Sequence, residues 1–170
     1  MSDPEFIWRN GKIVPWAEAT VHVNAVGHAS VSSVFEGIRA YVGSDGTLQI
    51  FRVEDHMRRL HESLRIVRLS SPYTAEQLVA ATIDLLRANE TTVDTYIRPW
   101  VFIKGIVREA INRTLRETET VIDTWPLESK LLTHPGSRAG VSSWARIDDR
   151  SMPPRAKAFS NYHNSRLARK

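Results

Sequence analysis

Five lysines stand against eighteen arginines, so the chain offers few amines for covalent chemistry. A lysine can form a Schiff base with an aldehyde only when neutral, and its pKa, ordinarily about 10.4, must then be lowered by desolvation or a nearby cation. Lys157 is the one lysine set among small and apolar neighbours: Ala156, Ala158 and Phe159. By composition alone, a surface lysine after a proline turn is still favoured over a catalytic lysine.

The sequence lacks the usual motifs of a metal site, a phosphate-binding loop or a nucleophile. His56 and His61 lie five residues apart, so on a helix they do not share a face as an i, i+4 ligand pair does. The sequence has no HExxH motif, no glycine-rich phosphate loop and no GxSxG elbow. It also has no cysteine, which excludes a disulfide framework, a thiolate nucleophile and a thiolate metal site.

Composition indicates a globular protein with one sizeable core. Of 170 residues, 42% are hydrophobic and 25% are charged. The lack of cysteine favours a reducing, cytoplasmic compartment. The net charge is +4, but acids interrupt the basic residues and no basic stripe with interleaved aromatics forms, so nucleic-acid binding is not favoured. No apolar run approaches the roughly 20 residues that span a bilayer, which disfavours a membrane protein.

The first part of the chain predicts two β-hairpins. Residues 6–16 form one around Asn10-Gly11, a pair that accepts positive φ at low cost. The second hairpin brackets residues 44–46. Between the hairpins, residues 20–23 predict a short strand, and residues 28–36 predict a short helix closed by Gly37.

Two helices and several strands follow. Residues 54–69 carry apolar side chains at three- and four-residue spacing, and residues 74–77 have the form of a capping box that opens a second helix. Residues 95–105, 118–127 and 139–148 then read as extended segments, and a last helix begins near Tyr162 or His163. Strands and helices that are segregated along the chain favour an α+β fold over a doubly wound α/β domain.

Five motifs resemble those of branched-chain aminotransferases, which are fold type IV pyridoxal-phosphate enzymes. Residues 157–162, KAFSNY, resemble the family's KAxxNY segment. Residues 33–41, SVFEGIRAY, are similar to its SVFEGIR run, and residues 56–61, HMRRLH, match its HMxRLH. Residues 96–99, YIRP, and 141–144, VSSW, add two more. Each motif alone is weak, but together they follow the family's order along nearly the whole chain.

The resemblance implies the small N-terminal α+β domain of this fold, an antiparallel sheet with flanking helices, over residues 1–127. Residues 128–170 would then be the interdomain linker and the start of the large cofactor-binding domain. In full-length relatives that second domain supplies the acidic partner of the cofactor's pyridine nitrogen. We therefore expect a polypeptide truncated before it, at Lys170, to bind cofactor poorly and to transaminate little.

The resemblance also assigns residues to the cofactor, pyridoxal 5'-phosphate. Lys157 would carry it and act as the base that moves a proton between the substrate α-carbon and the cofactor. Tyr162 would hydrogen-bond the cofactor's phenolic oxygen. Arg59 would hold the phosphate, a role that suits a guanidinium group.

Four further residues are assigned to the substrate pocket. Tyr96 and Arg98 alternate along a predicted strand, so both side chains point to one face. In the family that face lies near the carboxylate of the amino acid, and Phe35 and Gly37 form part of the side-chain wall. An apolar wall with few polar groups fits a hydrophobic amino acid.

The implied reaction moves the amino group of a branched-chain L-amino acid to 2-oxoglutarate, and family members act as dimers, which predicts a homo-oligomer. Two residues depart from the pattern: Ser30 stands where a tyrosine is usual, and Leu127 where an aromatic residue is common. These departures leave a D-amino-acid aminotransferase or an aminodeoxychorismate lyase of the same fold as alternatives. A catalytically incompetent fragment is the third.

Overall fold

A single antiparallel sheet organises the chain in the computed structural model, which describes residues 3–105, 117–130, 133 and 136–169. The sheet has seven strands in this part of the chain. In chain order they are β1 (Phe6–Arg9), β2 (Lys12–Pro15), β3 (Ser33–Phe35), β4 (Ile38–Val42), β5 (Leu48–Ile50), β6 (Thr95–Ile103) and β7 (Thr118–Pro126).

Helices flank this sheet. Among the described residues, α1 spans Val23–Val31, α2 spans Val53–Ile66, α3 spans Ala75–Ala88 and the short α4 spans His163–Leu167. Two 3₁₀ helices cover Trp16–Glu18 and Phe159–Tyr162. None of the described helices has both the length and the apolarity that a membrane-spanning helix needs. The architecture confirms the predicted α+β class.

Strand β6 is the centre of the sheet, whose order is β2-β1-β7-β6-β4-β5, with β3 also paired to β6. One edge of β6 pairs with β7 along its whole length, whereas β3 and β4 share the other edge. The amide of Glu36, in the turn between β3 and β4, donates to the carbonyl of Pro99 at 2.8 Å. Pro99, which has no N–H to donate, therefore lies where one neighbouring strand gives way to the next, a tolerable place for proline inside a sheet.

Alternating side chains give the sheet two different faces. The core face packs against α2 and α3, and its residues Ile97 and Val101 are fully buried beside Met57, Leu60 and Leu64 of α2. The helical spacing of the three α2 residues is what the sequence predicted. The open face is the opposite side, which carries Phe35, Tyr96, Arg98, Trp100, Asp123 and Trp125.

The helix α3 begins with the predicted capping box. The amide of Gln77 donates to the Thr74 hydroxyl at 3.2 Å, and the amide of Thr74 donates to the Gln77 side-chain carbonyl at 2.8 Å. Two amides that the helix cannot bond internally are thereby satisfied. Both predicted hairpins and the strands predicted within residues 95–105 and 118–127 are confirmed as well.

The region between the hairpins differs from the prediction. Residues 20–23 do not form a strand, because α1 already begins at Val23. The helix predicted over residues 28–36 ends at Val31, and β3 follows. Ser33 and Val34 are buried where β3 pairs with β6, so this long-range pairing overrides the local helical pattern.

The extended segment predicted over residues 139–148 is not a strand either. No ladder includes it in the described part of the chain, and Val141 is fully exposed. Apolar alternation predicts a strand only when one face has a surface to pack on. The last predicted helix is confirmed as α4, which starts at His163.

Candidate active site

The backbone of Lys157 is fixed between β3 and α2. An antiparallel bridge joins Ala158 to Val34, and the amide of Phe35 donates to the Lys157 carbonyl at 3.1 Å. The amide of Lys157 donates to the Ser63 hydroxyl of α2, also at 3.1 Å. Three contacts from two elements therefore set the position from which this lysine side chain extends.

The amine of Lys157 lies against the phenol of Tyr162 and the ring of Phe35. Nζ donates to the hydroxyl of Tyr162 at 3.0 Å, and it lies 4.9 Å from the centre of the Phe35 ring. Phe35 in turn packs on Phe159, with ring centres 4.3 Å apart. A protonated amine is attracted to such ring faces, and a neutral amine gains an apolar wall.

Asn161 holds the turn that returns Tyr162 to the lysine. It is 6% exposed, and its Nδ2 donates to the carbonyls of Ala156 at 2.7 Å and Pro153 at 3.2 Å. A buried amide that bonds two backbone carbonyls closes the loop around Lys157. The asparagine of the KAFSNY run therefore shapes the site without reaching its amine.

Arg59 is paired with a buried carboxylate. Its Nε and Nη2 donate to the two carboxylate oxygens of Glu36 at 2.7 and 2.6 Å, and Glu36 is fully buried. His56 Nδ1 lies 2.9 Å from Glu36 Oε2. The bonds to Glu36 raise the pKa of Arg59 above its ordinary value, although burial acts in the opposite sense. Arg59 Nη1 has no hydrogen-bond partner among the described residues.

Tyr96 occupies the space beside Gly37 on the open face. A Cβ atom at Gly37 would lie 2.0 Å from the Tyr96 hydroxyl oxygen, so this position requires glycine. Tyr96 stacks on Trp125 with ring centres 4.6 Å apart. Burial raises the pKa of Tyr96, and nearby Arg98 lowers it. The phenol is therefore protonated at neutral pH.

Arg98 is clamped by Asp123, which lies directly opposite it on β7. Arg98 Nε and Nη2 donate to the two Asp123 oxygens at 3.1 and 2.5 Å. The guanidinium carbon lies 5.1 Å from the ring centres of both Trp100 and Trp125. Burial raises the pKa of Asp123, whereas the Arg98 bonds lower it. The guanidinium plane is thus fixed by one carboxylate and two rings.

The predicted site residues form two clusters on the open face, with Arg59 on the adjoining helix α2. Lys157, Tyr162 and Phe35 form one cluster, and Gly37, Tyr96 and Arg98 form a second on the same face of the sheet. Trp100 connects the two, since it lies beside Arg98 and 6.0 Å from the Phe159 ring. Arg59 lies on α2, near enough to Tyr162 for the two groups to interact electrostatically, and it makes no hydrogen bond to Lys157 or Tyr162.

The sequence did not identify the acidic partners of the two arginines. Glu36 is an acid inside the otherwise apolar run SVFEGI, which is a signal for a buried ion pair. Asp123 stands two residues before Trp125 in the strand VIDTW, on the face that Arg98 also occupies. Either signal becomes specific only when the strand register is known.

The two positions that depart from the family pattern have defined places. Ser30 is exposed on α1, and its carbonyl accepts a 2.8 Å hydrogen bond from the Ser33 hydroxyl. The Leu127 carbonyl accepts a bond from Arg39 Nη2 at 2.5 Å.

The described residues hold no group of three or more side chains suited to a metal ion.

Comparison with known proteins gives the chain a clear set of relatives. The family described as amino-transferase class IV matches residues 33–170. The branched-chain-amino-acid aminotransferase of Escherichia coli (strain K12) is 37% identical over 167 residues, which cover 96% of this chain and 53% of the relative. The chain therefore spans about half the length of the curated relatives that it matches.

Solved structures agree with that match. The branched-chain amino acid aminotransferase from Thermobaculum terrenum in its PLP form is 42% identical, with a TM-score of 0.89 over 98% of this chain and 54% of that one. The branched-chain aminotransferase from Thermoproteus uzoniensis with norvaline is 36% identical, with a TM-score of 0.87 over 97% of this chain and 55% of that one.

Proposed function

Because the chain belongs to the amino-transferase class IV family, we propose that it contributes to a pyridoxal-phosphate-dependent transamination in which Lys157 carries the cofactor. Its antiparallel sheet with flanking helices is the fold of the branched-chain aminotransferases it matches. The observation that supports the proposal most is the Lys157 amine, 3.0 Å from the Tyr162 hydroxyl on a backbone fixed by β3 and α2.

The donor set suits this cofactor. A lysine amine can bond an aldehyde carbon, and the adjacent phenol of Tyr162 can donate to the cofactor's phenolic oxygen. Arg59 keeps Nη1 available for a phosphate oxygen, since only Nε and Nη2 bond Glu36. The Phe35 ring supplies an apolar wall beside the amine. Amine, phenol and guanidinium groups are together what a phosphorylated aldehyde requires.

Proton transfer is the task proposed for Lys157. When bound, pyridoxal phosphate supplies a ring that accepts electrons from the substrate α-carbon. Lys157 Nζ would take the proton from the substrate α-carbon and pass it to the cofactor carbon that carries the aldehyde group. The Tyr162 hydroxyl holds Nζ at 3.0 Å and so limits the positions that the base can adopt. The Phe35 ring lies along one side of Nζ, and Phe159 packs on that ring.

The open face is the proposed substrate wall. Phe35, Gly37 and Tyr96 present apolar and aromatic surface, and Arg98, which bonds Asp123 through Nε and Nη2, keeps Nη1 to donate to a substrate carboxylate. This combination favours a hydrophobic amino acid, and we propose branched-chain L-amino acids as donors and 2-oxoglutarate as acceptor. The names of the matched relatives support the donor class.

The proposal extends to organisation. Residues 1–127 would form the small domain, and residues 128–170 the linker and the start of a cofactor-binding domain. The chain spans 53% of the E. coli relative, which supports a further domain in the functional enzyme. We also propose that the protein is a homo-oligomer and that it lies in the cytoplasm.

An absorbance measurement tests the role of Lys157. The complete gene product that carries this chain is purified, mixed with pyridoxal phosphate, freed of excess cofactor and scanned for a visible band. We expect the band in the wild type, its loss in Lys157→Ala and its retention in Lys12→Ala, a control at an exposed position of β2. Amino transfer from leucine or valine to 2-oxoglutarate is then assayed. A band that persists in Lys157→Ala would contradict the proposal.

A further inference from the structure

We propose that Glu36 is a positioning residue, which orients Arg59 so that one guanidinium nitrogen remains for a phosphate group. The inference rests on the proposed function, in which Arg59 binds the cofactor phosphate. Glu36 lies in the turn between β3 and β4, one residue from both Phe35 and Gly37 of the open face. It thereby connects the wall of the proposed pocket to α2.

Burial of the Glu36 carboxylate costs free energy that its hydrogen-bond partners have to offset. Its side chain is fully buried, and removal of a carboxylate from water costs several kcal/mol unless the charge is paired and hydrogen-bonded. Arg59 supplies two bonds and His56 one. Arg59, in contrast, is 49% exposed and needs no buried partner for its own solvation. Burial fixes the Glu36 carboxylate, so the acid is the fixed member of the pair and the half-exposed arginine is the member that it restrains.

The two bonds fix the whole guanidinium plane. They use Nε and Nη2, which form one edge of the group, and leave Nη1 as a donor. An arginine so restrained loses its rotational freedom on folding, so a ligand does not have to immobilise it. The Glu36 amide is itself held by Pro99 of β6 at 2.8 Å, which ties the clamp to the sheet.

Positioning and simple charge attraction predict opposite effects of Glu36→Gln on phosphate binding. Glu36 cancels the positive charge of Arg59, so if net charge governed phosphate binding, Glu36→Gln should strengthen it. If orientation governs binding, Glu36→Gln should weaken it, because the neutral amide cannot accept the same fork at both ends. The sign of the change therefore separates the two explanations.

The test compares cofactors with and without phosphate in the complete gene product that carries this chain. Dissociation constants for pyridoxal phosphate and pyridoxal are measured by absorbance in the wild type, Glu36→Gln, Arg59→Ala and the double variant. We expect Glu36→Gln to weaken pyridoxal phosphate binding about tenfold, the effect of one charged hydrogen bond, and to leave pyridoxal binding nearly unchanged. It should add nothing when Arg59 is already alanine.

Several results would overturn the inference: tighter binding in Glu36→Gln, equal weakening for both aldehydes, or a wild type without preference for the phosphorylated form. If Glu36→Gln does not fold, Glu36→Asp replaces it, since it keeps the charge and withdraws it by one methylene. Selective loss for pyridoxal phosphate then supports positioning, and equal loss overturns it.

A titration with inorganic phosphate separates this inference from the proposed function, because phosphate needs neither Lys157 nor a ring. Weaker phosphate binding in Glu36→Gln, together with an unchanged visible band in Lys157→Ala, would remove the transaminase proposal and leave the role of Glu36. Phosphate binding that Glu36→Gln does not weaken would remove the role of Glu36 alone.

Discussion

The core face and the open face of the sheet use the same strands under opposite conditions. On β6, Ile97 and Val101 are fully buried against α2, whereas Tyr96, Arg98 and Trp100 of the open face are only partly buried. Apolar burial on one side supplies the stability. The other side can therefore hold a clamped guanidinium, a half-buried phenol and a glycine, each of which stabilises the fold little by itself.

The largest expected effect tests the core face. Leu60 of α2 is fully buried, so Leu60→Ala should lower the free energy of unfolding by about 2–5 kcal/mol through lost burial and the cavity left behind. Urea denaturation measures the change, and Val23→Ala, at a residue 76% exposed on α1, is the matched control. A loss close to that of the control would contradict the division of labour between the two faces.

An intermediate effect is expected from Gly37→Ala on the open face. The added Cβ would lie 2.0 Å from the Tyr96 hydroxyl and displace the ring from Trp125. Overpacking of this kind costs about 1–3 kcal/mol. Urea denaturation gives the cost, and tryptophan fluorescence reports the stacking. In a Tyr96→Ala background, Gly37→Ala should hardly change the free energy of unfolding. If the loss of stability persists there, the Tyr96 ring is not the obstacle.

The smallest expected effect is a pH dependence of the unfolding free energy, which comes from Asp123 on the open face. Burial raises the pKa of Asp123 above its ordinary 3.8, although Arg98 opposes the shift. The folded state then holds this proton more tightly than the unfolded state, so stability falls as pH rises from the ordinary pKa through the raised one. Unfolding free energies between about pH 3 and about pH 7 should show this fall in the wild type relative to Asp123→Asn.

If stability instead rises with pH in this range, the ion pair with Arg98 affects the pKa of Asp123 more than burial does. Asp84→Asn on α3 is the control, because Asp84 is largely exposed and its ion pair among the described residues is with Arg87, three positions along the same helix. It should leave the pH dependence of unfolding unchanged, as surface pairs contribute little.

Local patterns predicted the core face better than the open face. The spacing of apolar residues in α2, the capping box at Thr74 and the strands β6 and β7 follow from neighbours along the chain. The error at α1 and β3 has a different origin, since Ser33 is buried by a pairing with Phe102 that no local window contains.

The site shows the same limit. Motifs pointed to Lys157, Arg59 and Arg98, whose roles stay predictions, but not to the acids that hold the arginines. Asp123 reaches Arg98 only because the register of β6 and β7 places them directly opposite. Glu36 reaches Arg59 only because α2 packs against β3. Partners of this kind depend on the geometry between elements, which residue types alone do not encode.

The pairing of β1 with β7 has a consequence for biosynthesis. Trp8 lies opposite Ile122, so β1 completes its pairing only after β7 has been synthesised. Of the two ladders that β1 makes among the described residues, only the one with β2 can form before then, and an isolated hairpin is marginal in water. One edge of β1 therefore stays unpaired until β7 is made, the interval in which a holdase chaperone would protect it best.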